Sequence, residues 1–552
     1  MYDLEYFRPW YYFILVAIGF TLLIFQTLIL KYTVRNVLFT ISKLLLLSIS
    51  FRASRFFTFP EIPGADTHFH LRLSQSILNS GYVPTNEIYS QYIYTPFWHI
   101  YDVVQSLMFN LDIGSILFIF ASIAIVAITF LTYVIGEELF DFRVGLITAI
   151  FVNMADMIFV RTLTNINTSL LVMIYFLVLI LCFFHRERVF FGIAISMVLC
   201  MFWTHQLSVF AVWLAIIGFY LCLLAYKRGF FTWLNSALHN NNRVLPYPNT
   251  PFTVFTVIYM IFFWTMMRPE SSESSFFAGM TRRLKGSLDR MINEYLSSGD
   301  LQTSVYEDLF TSIDILDALL YNLGYAILVC LALVGMIFVM KKISDQKKMG
   351  MLLSAGILFV VIYPGTFIGL NQLFIPHRFL SILELVFIPF SAFSLLMFFR
   401  SCHSRGMNIV FSGFVLLLLF LLITTPYVNR NDPLYAQGEV HRTEMMYAEL
   451  VGISWGQLHS PNNRITVDPY ISRGGLSTTD IGNINAEFVD SYSSNANNHL
   501  INIRQYIIND PCLRIGGTFG KVHQEDYSEL LGTIQATRSL SYDNGKSYVY
   551  LI

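Results

Sequence analysis

The sequence has little charge. Asp, Glu, Lys and Arg make up only 13% of its 552 residues, whereas they make up about 25% of a typical soluble domain. So few ionic groups cannot cover a water-exposed surface, and 55% of the residues are hydrophobic. The net charge of -1 also argues against the basic face that nucleic-acid binding requires, so we expect no nucleic-acid partner. The composition therefore predicts an integral membrane protein.

Cysteine is also scarce. The chain has six cysteines, at positions 182, 200, 222, 330, 402 and 512. No pair has the spacing of a metal-binding motif, and Cys512 stands alone in the polar C-terminal region, so no disulfide framework is predicted. We interpret the cysteines as small, buried, apolar residues.

Long apolar runs are abundant. A bilayer core of about 30 Å needs roughly 20 apolar residues for each helix that crosses it. Runs bounded by charged residues predict about twelve transmembrane helices, near residues 10–30, 36–54, 113–135, 144–160, 167–184, 189–203, 207–226, 251–267, 316–340, 349–370, 379–399 and 407–426. The sequence thus predicts a polytopic α-helical membrane protein.

The basic residues in short loops indicate how these helices are oriented. Lysine and arginine concentrate in alternating loops, at positions 31, 35, 186, 188, 227, 228, 341, 342, 347, 348, 400 and 405. The positive-inside rule makes those loops cytoplasmic, and only the acidic loop 137–141 does not fit. Both termini are then extracytoplasmic, most simply outside a cell membrane.

Three polar regions fall on the same predicted outer side as the termini. They are the loops 55–112 and 268–315, within a transmembrane domain that covers 1–426, and the tail 427–552. Short apolar runs in the tail, such as 464–467 and the closing 547–552, are typical of strands. We therefore expect the tail to form a small extracytoplasmic α/β domain.

The first of these outer loops contains a polar segment whose pattern suggests chemistry. A helix is predicted over 67–79, with Asp66 at or just before its first turn and His68, His70 and Arg72 within it. An aspartate at this place is also a favoured helix cap, worth about 1 kcal/mol. A cap does not require two histidines and an arginine in the next six residues, so both interpretations stand at this point.

These residues resemble a known family. An aspartate after a transmembrane helix, followed by His70-Leu71-Arg72-Leu73 and then Gly81-Tyr82-Val83-Pro84, is similar to the GT-C glycosyltransferases, especially their archaeal and oligosaccharyltransferase branch. The segment 94–99 is similar to what the family has before its next helix. The resemblance implies a GT-C fold and a catalytic role for the first-loop aspartate, which is Asp66 in this chain. His68, His70 and Arg72 would support it.

The resemblance extends to two later loops. The family has a second outer loop led by an arginine, here Arg161, and a late helix whose arginine contacts the lipid phosphate, here Arg378. It therefore implies that Arg161, His377 and Arg378 bind the donor phosphate. His205, in an outer turn, and Glu384, after Arg378, are supporting candidates. Two structural alternatives stay open: Arg378 as an anchor at the membrane interface, and His205 as a hydrogen-bonded histidine of the bundle.

The chain departs from oligosaccharyltransferases in two respects. Those enzymes place acidic metal ligands shortly after the loop arginine, whereas this chain has Asn165 and Asn167, and its nearest carboxylate is Asp156. The resemblance implies a divalent cation, Mg²⁺ or Mn²⁺, with Asp156 as the candidate ligand, although hard cations prefer carboxylates to neutral amides. The tail also has Trp455 in place of the tandem-tryptophan motif that reads the acceptor sequence.

The resemblance implies a transferase that moves a sugar from a polyprenyl- or dolichyl-phosphate donor to an extracytoplasmic glycan or protein acceptor. Asp66 would take the acceptor's proton during an inverting displacement, and the cations would stabilise the leaving phosphate. Its partners would be this lipid-linked donor, the acceptor and membrane lipids. Three alternatives remain: glycan transfer to protein by a true oligosaccharyltransferase, a transporter or lipid flippase, and a noncatalytic scaffold. The sequence shows no clear internal repeat of the kind that transporters have.

Overall fold

The structure is a computed structural model. It describes residues 8–56, 65–84, 92–185, 187–228, 248–268, 275–279, 281–282, 285–286, 322–341, 345–367, 376–425, 429, 455, 464–467, 485–488, 500–504, 512–515, 518–521, 539–543 and 547–551. Most of the loop 268–315 and of the tail 427–552 lies outside these ranges, so the division of the chain into a transmembrane and a tail domain stays a prediction.

Helices dominate the first 425 residues. They are α1 (Trp10–Ile29), α2 (Val34–Phe56), α3 (Ala65–Ser80), α4 (Phe97–Phe109), α5 (Ile113–Leu139), α6 (Phe142–Val152), α7 (Asp156–Leu163), α8 (Ser169–Phe184), α9 (Arg188–Thr204), α10 (Ser208–Lys227), α11 (Thr250–Met266), α12 (Leu323–Lys341), α13 (Gln346–Phe367), α14 (Pro376–Ser401) and α15 (Arg405–Ile423). Polar caps start several of them: the side chains of Asp112 and Asp141 accept hydrogen bonds from the backbone N–H groups of Ser115 and Val144, at 2.8 and 2.9 Å.

Eight helices in the described part of the chain are long and apolar enough to cross a membrane, and the bent pair α6–α7 makes a ninth span if it is counted as one. Three shorter apolar helices, α8, α9 and α11, accompany them. Each predicted span coincides with one of these helices or, for 144–160, with the bent pair. The chain is a multi-pass membrane protein; the number of twelve crossings stays a prediction.

Helix α14 lies at the centre of the bundle. An 18-residue stretch of its apolar segment Phe379–Ser401 is 78% buried, more than in any other span of the described residues. It packs against α12, α13 and α6. On α12, a Cβ atom at Gly335 would overlap the carbonyl oxygen of Phe390 in α14, so glycine is what permits the two backbones to approach closely. The centre of the bundle is therefore rigidly packed.

The acidic loop 137–141 lies at the same end of the bundle as basic residues from other loops. Lys347 is 2.6 Å from Glu138, and Arg400 is 3.3 Å from Asp141. Such exposed pairs contribute little stability, about 0–1 kcal/mol each. Their presence nevertheless explains why an acidic loop departs from the basic pattern: its charges are neutralised by cations at the same end.

The described part of the tail consists mainly of short strands. They are β1 (Arg464–Val467), β2 (Asn485–Phe488), β3 (Leu500–Arg504), β4 (Cys512–Ile515), β5 (Thr518–Lys521), β6 (Ser539–Asp543) and β7 (Ser547–Leu551). Five form a sheet in the order β2-β1-β3-β7-β6, in which β1 is parallel to both neighbours, while β4 pairs with β5. The runs predicted as strands at 464–467 and 547–552 are β1 and β7. Whether the tail is an extracytoplasmic α/β domain stays a prediction.

Candidate functional site

Buried polar side chains gather at the end of the bundle opposite the ion pairs of the acidic loop. Glu384 lies near the start of α14, whereas Arg400 lies at its end; Asp156 follows α6, whereas Asp141 precedes it. Hydrogen bonds at this end join α7 to α14 and to the segment after α15. Of the residues that the sequence analysis singled out, Asp156 and Glu384 therefore lie together at this end of the bundle.

Two buried carboxyl groups, those of Asp156 and Glu384, lie at the N-terminus of helix α7. Both oxygens of Glu384 accept a hydrogen bond from the N–H of Met157 at 3.2 Å, and one also accepts from the N–H of Ile158 at 3.2 Å. Oδ1 of Asp156 accepts from the hydroxyl of Thr425 at 3.2 Å. The first N–H groups of a helix lack partners within the helix and carry partial positive charge. Glu384 satisfies these groups from a different helix.

Arg161 lies in the last turn of α7 and is 2% exposed. The helix has eight residues, so its two ends are about 12 Å apart. A cation near the C-terminal end and carboxyl groups at the N-terminal end both match the polarity of the helix dipole. Arg161 follows Asp156 by five residues, so the backbone of α7 separates the buried arginine from that carboxyl group by about 7.5 Å along the helix axis.

The bend of 54° between α6 and α7 is held by a buried arginine that the sequence analysis did not single out. Arg52 donates from Nε to the hydroxyl of Thr162 at 2.9 Å and from Nη2 to the carbonyl oxygen of Asn153 at 3.1 Å. It also bonds the hydroxyl of Ser48, and its guanidinium lies 4.4 Å from the ring centroid of Phe159. Arg52 therefore links α2 to both sides of the bend.

Asp66 is the second residue of α3, within its first turn, and His377 and Arg378 are the second and third residues of α14. Their side chains lie outside the part of the molecule that the structure describes. The assignment of Asp66 as the catalytic residue and of His377 and Arg378 as phosphate ligands therefore stays a prediction.

Helix α3 buries its histidines and exposes its arginine. His68 and His70 are 5% and 3% exposed, whereas Arg72 faces solvent. Helical spacing brings His68 and Arg72 to neighbouring positions, yet one is buried and the other exposed. The helix has a second polar face, which is covered by neighbouring elements.

His70 and His99 form the centre of that covered face. Nδ1 of His70 is 2.9 Å from Nε2 of His99, and the ring of Tyr92 lies edge-on to both. Burial lowers the pKa of His99 well below its ordinary value, and the neighbouring His70 lowers it further. His99 therefore favours the neutral imidazole, and one ring of the pair donates to the other.

Asp102 stands one turn after His99 on α4. Its Oδ2 accepts from the hydroxyl of Ser74 at 3.2 Å, and its Oδ1 is buried without a hydrogen-bond partner among the described residues. Burial raises the pKa of Asp102 well above its ordinary value, although the bond from Ser74 opposes this. His99 and Asp102, three residues apart, are the ionisable imidazole and carboxyl groups of a helix that has no lysine, arginine or glutamate, and this pairing was the signal that could have identified them from the sequence.

His205 follows the last residue of α9, as expected for an outer turn. Its Nδ1 accepts from the backbone N–H of Ser208 at 3.0 Å, and it is 6% exposed. The adjacent Gln206 accepts from the hydroxyl of Thr95 at 3.3 Å, so this turn contacts the segment that leads into α4. These contacts fit the structural interpretation of His205 as a hydrogen-bonded bundle residue, and its functional role stays a prediction.

The described residues do not supply a complete metal site. They contain no group of three His, Cys, Asp or Glu side chains arranged to hold an ion. Asp156 and Glu384 already accept the hydrogen bonds given above, and Asn167 accepts from the backbone N–H of Ser169 at 3.1 Å. A hard cation requires about six oxygen ligands, and the described donors fall short of that number.

No protein-family model matches the sequence, and no curated protein matches it. Solved structures do. The oligosaccharyltransferase of Archaeoglobus fulgidus in its apo form superimposes with a TM-score of 0.50 at 14% identity, over 80% of this chain and 64% of that one. The same protein in complex with zinc and sulfate gives 0.50 at 13% identity, over 80% and 61%. ArnT from Cupriavidus metallidurans bound to undecaprenyl phosphate gives 0.46 at 11% identity, over 93% and 97%.

The chain spans a little under two thirds of the length of the archaeal protein. At 14% identity the likeness concerns the fold. The eight long apolar helices, the bent pair and the three shorter apolar helices among the described residues agree with a fold of many membrane helices. The chain has the GT-C fold of membrane glycosyltransferases, as the residues of its first loop predict.

Proposed function

We propose that the protein is a membrane glycosyltransferase that transfers a sugar from a polyprenyl- or dolichyl-phosphate donor to an extracytoplasmic acceptor. The observation that carries the proposal is the position of Asp66 in the first turn of α3 of a GT-C fold, at the head of the motif that resembles the family. The buried Arg161 on α7 supports it, because an anionic leaving group needs a fixed cation nearby.

The proposed reaction is an inverting displacement at the anomeric carbon of the donor sugar. The acceptor's hydroxyl or amide attacks this carbon and loses its proton to the carboxylate of Asp66. The bond between the anomeric carbon and the phosphate oxygen breaks, and the lipid phosphate leaves with the electron pair. Arg161, His377 and Arg378 bind that phosphate. No redox partner is needed, and the proton gained by Asp66 balances the charge on the phosphate.

The remaining residues act in support of these groups. His68, His70 and Arg72 follow Asp66 on α3 and would position it, while His205 belongs to the turn that contacts the segment before α4. Glu384 has a structural role: its carboxyl group accepts hydrogen bonds from the N–H groups of Met157 and Ile158 and so fixes the helix that carries Arg161. A donor phosphate resides at headgroup depth, so residues at one end of the bundle suit this chemistry.

The need for a divalent cation, Mg²⁺ or Mn²⁺, is a question for experiment, and no step of the proposed reaction depends on it. Asp156 is its candidate ligand, and the fold neighbour from A. fulgidus has been observed with zinc. Because the described donors do not complete a site, no step above passes through the metal. If activity survives chelation with EDTA and is not increased by added Mg²⁺ or Mn²⁺, the side chains of Arg161, His377 and Arg378 suffice to stabilise the leaving phosphate without a metal.

Transfer of a whole glycan to protein is the second candidate, favoured by the likeness to an oligosaccharyltransferase. The two candidates differ in donor and acceptor. An oligosaccharyl-pyrophosphate lipid with a sequon peptide tests the second, whereas a monosaccharide-phosphate lipid tests the first. The single tail tryptophan, Trp455, in place of a tandem motif leads us to expect activity with the monosaccharide donor.

The deciding experiment compares two aspartates at helix starts. The protein, reconstituted in lipid vesicles with radiolabelled polyprenyl- or dolichyl-phosphate sugars, is assayed as wild type, Asp66→Asn and Asp112→Asn. Asp112 caps α5, and asparagine caps a helix about as well as aspartate does, so this variant should keep its stability and retain transfer. We expect Asp66→Asn to fold equally well and to lose transfer. If Asp66→Asn transfers sugar normally, the aspartate is a cap and the catalytic assignment fails.

A further inference from the structure

Helix α2 carries a lysine on its lipid-facing side. Lys43 is the tenth residue of the span Val34–Ser54, so its Cα atom lies about 13 Å along the helix axis from Val34. Its side chain is exposed, as are those of Phe39 and Leu46 on the same face. No carboxyl group among the described residues forms an ion pair with it. A charge at this depth is unfavourable against hydrocarbon alone, so an anion beside Lys43 would stabilise it.

A chain of hydrogen bonds between α1 and α2 holds the ammonium group of Lys43. Its Nζ donates to Oε1 of Gln26 on α1 at 3.2 Å. Nε2 of Gln26 donates to the hydroxyl of Thr40 at 3.2 Å, and that hydroxyl donates to the carbonyl oxygen of Asn36 at 2.9 Å. An ammonium group has three N–H donors and an amide nitrogen has two. Two donors of Lys43 and one of Gln26 are therefore left over by the described residues, and they can bind an outside acceptor.

The ammonium group is directed toward the end of the bundle where α1 is followed by α2. Gln26, its acceptor, lies three residues before the last residue of α1, or about 4.5 Å along the helix axis. The ring centroid of Phe39, one turn nearer to this end of α2, lies 4.4 Å from Nζ. Side chains of a helix lean toward its N-terminus, which for α2 is the same end. Lys43 therefore brings its charge from the middle of the span to about one turn from the helix ends.

Further cations lie around the loop between α1 and α2. Lys31 and Arg35 flank this loop and are exposed. Arg143, at the start of α6, donates from Nη2 to the carbonyl oxygen of Leu30 at 3.3 Å, and its Nε is buried without a hydrogen-bond partner among the described residues. None of these three cations forms an ion pair with a described carboxyl group. The positive-inside rule makes this end cytoplasmic, and basic clusters between membrane helices on that side attract anionic lipid headgroups.

We propose that Lys43 and Gln26 bind the phosphate group of an anionic lipid in the leaflet at this end, with Lys31 and Arg35 attracting the lipid to the site. Two phosphate oxygens accept from Nζ of Lys43 and Nε2 of Gln26. The direction of the ammonium group favours a headgroup phosphate over a carboxyl group of a partner helix, which could meet the lysine at any depth. Lys43 lies nine residues, or about 13 Å, before Arg52, which contacts the segment around α7. The site is therefore separate from the proposed transferase site and does not depend on it.

The test counts lipids bound to the full-length protein by native mass spectrometry from detergent micelles. Wild type, Lys43→Gln, Lys43→Arg and Lys341→Gln are each titrated with phosphatidylglycerol and, separately, with phosphatidylcholine. Lys341 is the matched control, because it is an exposed lysine at the last residue of α12, at the same end of the bundle. Thermal unfolding in the same detergent checks that each variant is folded. Should Lys43→Gln unfold, Lys43→Met, which keeps an unbranched side chain without the charge, takes its place.

We expect Lys43→Gln to bind the first phosphatidylglycerol about fivefold more weakly than wild type, the factor that corresponds to about 1 kcal/mol, and to bind phosphatidylcholine as wild type does. Lys43→Arg and Lys341→Gln should keep the affinity of wild type. An unchanged affinity in Lys43→Gln would overturn the proposal. Equal losses in Lys43→Gln and Lys341→Gln would do the same, since the whole end would then attract anionic lipid without a site. A wild-type oligomer that Lys43→Gln dissociates would also refute it, because a protein surface would then cover the lysine.

Discussion

The hydrogen bonds from Glu384 to the start of α7 make a quantitative prediction about stability. Glu384→Ala removes the acceptor of two backbone N–H groups, those of Met157 and Ile158, both in buried residues. A buried donor left without a partner costs about 1–3 kcal/mol. We therefore expect the free energy of unfolding to fall by about 2–6 kcal/mol for the two groups together.

Glu384→Gln separates the geometry of this contact from its charge. The glutamine carbonyl still accepts from α7, and hydrogen bonds to a neutral acceptor are weaker than those to a charged one by about 1 kcal/mol each. Removing the charge also relieves the repulsion from Asp156, which faces the same helix end. The stability of Glu384→Gln should therefore fall between wild type and Glu384→Ala, with a loss below about 2 kcal/mol.

The assay is unfolding in detergent micelles, followed by tryptophan fluorescence during heating and during titration with a denaturing detergent. Glu138→Ala is the matched control: its carboxylate forms an exposed pair with Lys347 at 2.6 Å, so its loss should cost about 0–1 kcal/mol. If Glu384→Ala unfolds like wild type, or like Glu138→Ala, the contact with α7 does not stabilise the bundle and the reasoning is refuted. The same variant should also lose sugar transfer, because α7 carries Arg161.

Further predictions concern the packing, the bend and the pH dependence. Gly335→Ala places a methyl group against the Phe390 carbonyl and should cost about 1–3 kcal/mol of stability, whereas Gly413→Ala, whose added methyl meets no atom within 4 Å, should leave thermal unfolding unchanged or delayed. A lysine at position 52 cannot replace the three hydrogen bonds that the planar guanidinium makes to Thr162, Ser48 and Asn153, so Arg52→Lys should lower the free energy of unfolding by about 1–3 kcal/mol. Equal stability of this variant and wild type would refute the role of Arg52 in holding the bend. Because burial lowers the pKa of His99 in the folded protein, the unfolded chain takes up a proton first as the pH falls through 6.5, its ordinary value, and stability should decline at acid pH. Asp102 acts in the opposite direction, because folding raises the pKa of its carboxyl group. The stability that Asp102 contributes at low pH is therefore lost as the pH rises above 3.8, the ordinary pKa of the group, and through its pKa in the folded protein. Asp102→Asn should therefore gain in melting temperature over wild type as the pH rises, and parallel pH profiles for the two would contradict the assignment.

The sequence predicts the membrane-spanning helices well because their signal is local. Eight of the predicted spans coincide with described helices that are long and apolar enough to cross a membrane, one coincides with the bent pair α6–α7, and three coincide with shorter apolar helices. The first-loop motif also predicts the fold, since Asp66 and the residues after it resemble the family on their own. In contrast, the sequence gives no sign that His68 is buried while Arg72, one turn later on the same helix, is exposed. Spacing gives the faces of a helix, but it does not say which face a neighbour will cover.

What the sequence by itself determines is therefore the class of protein and the course of its helices, because charge, length and period are properties of neighbouring residues. Only the tertiary structure decides which groups meet. Glu384 reaches the start of α7 from 226 residues away along the chain, and His70 meets His99 across two helices. The physical reason is that a buried polar group must find a hydrogen-bond partner in space, and the packing of the bundle alone decides which partner is within reach.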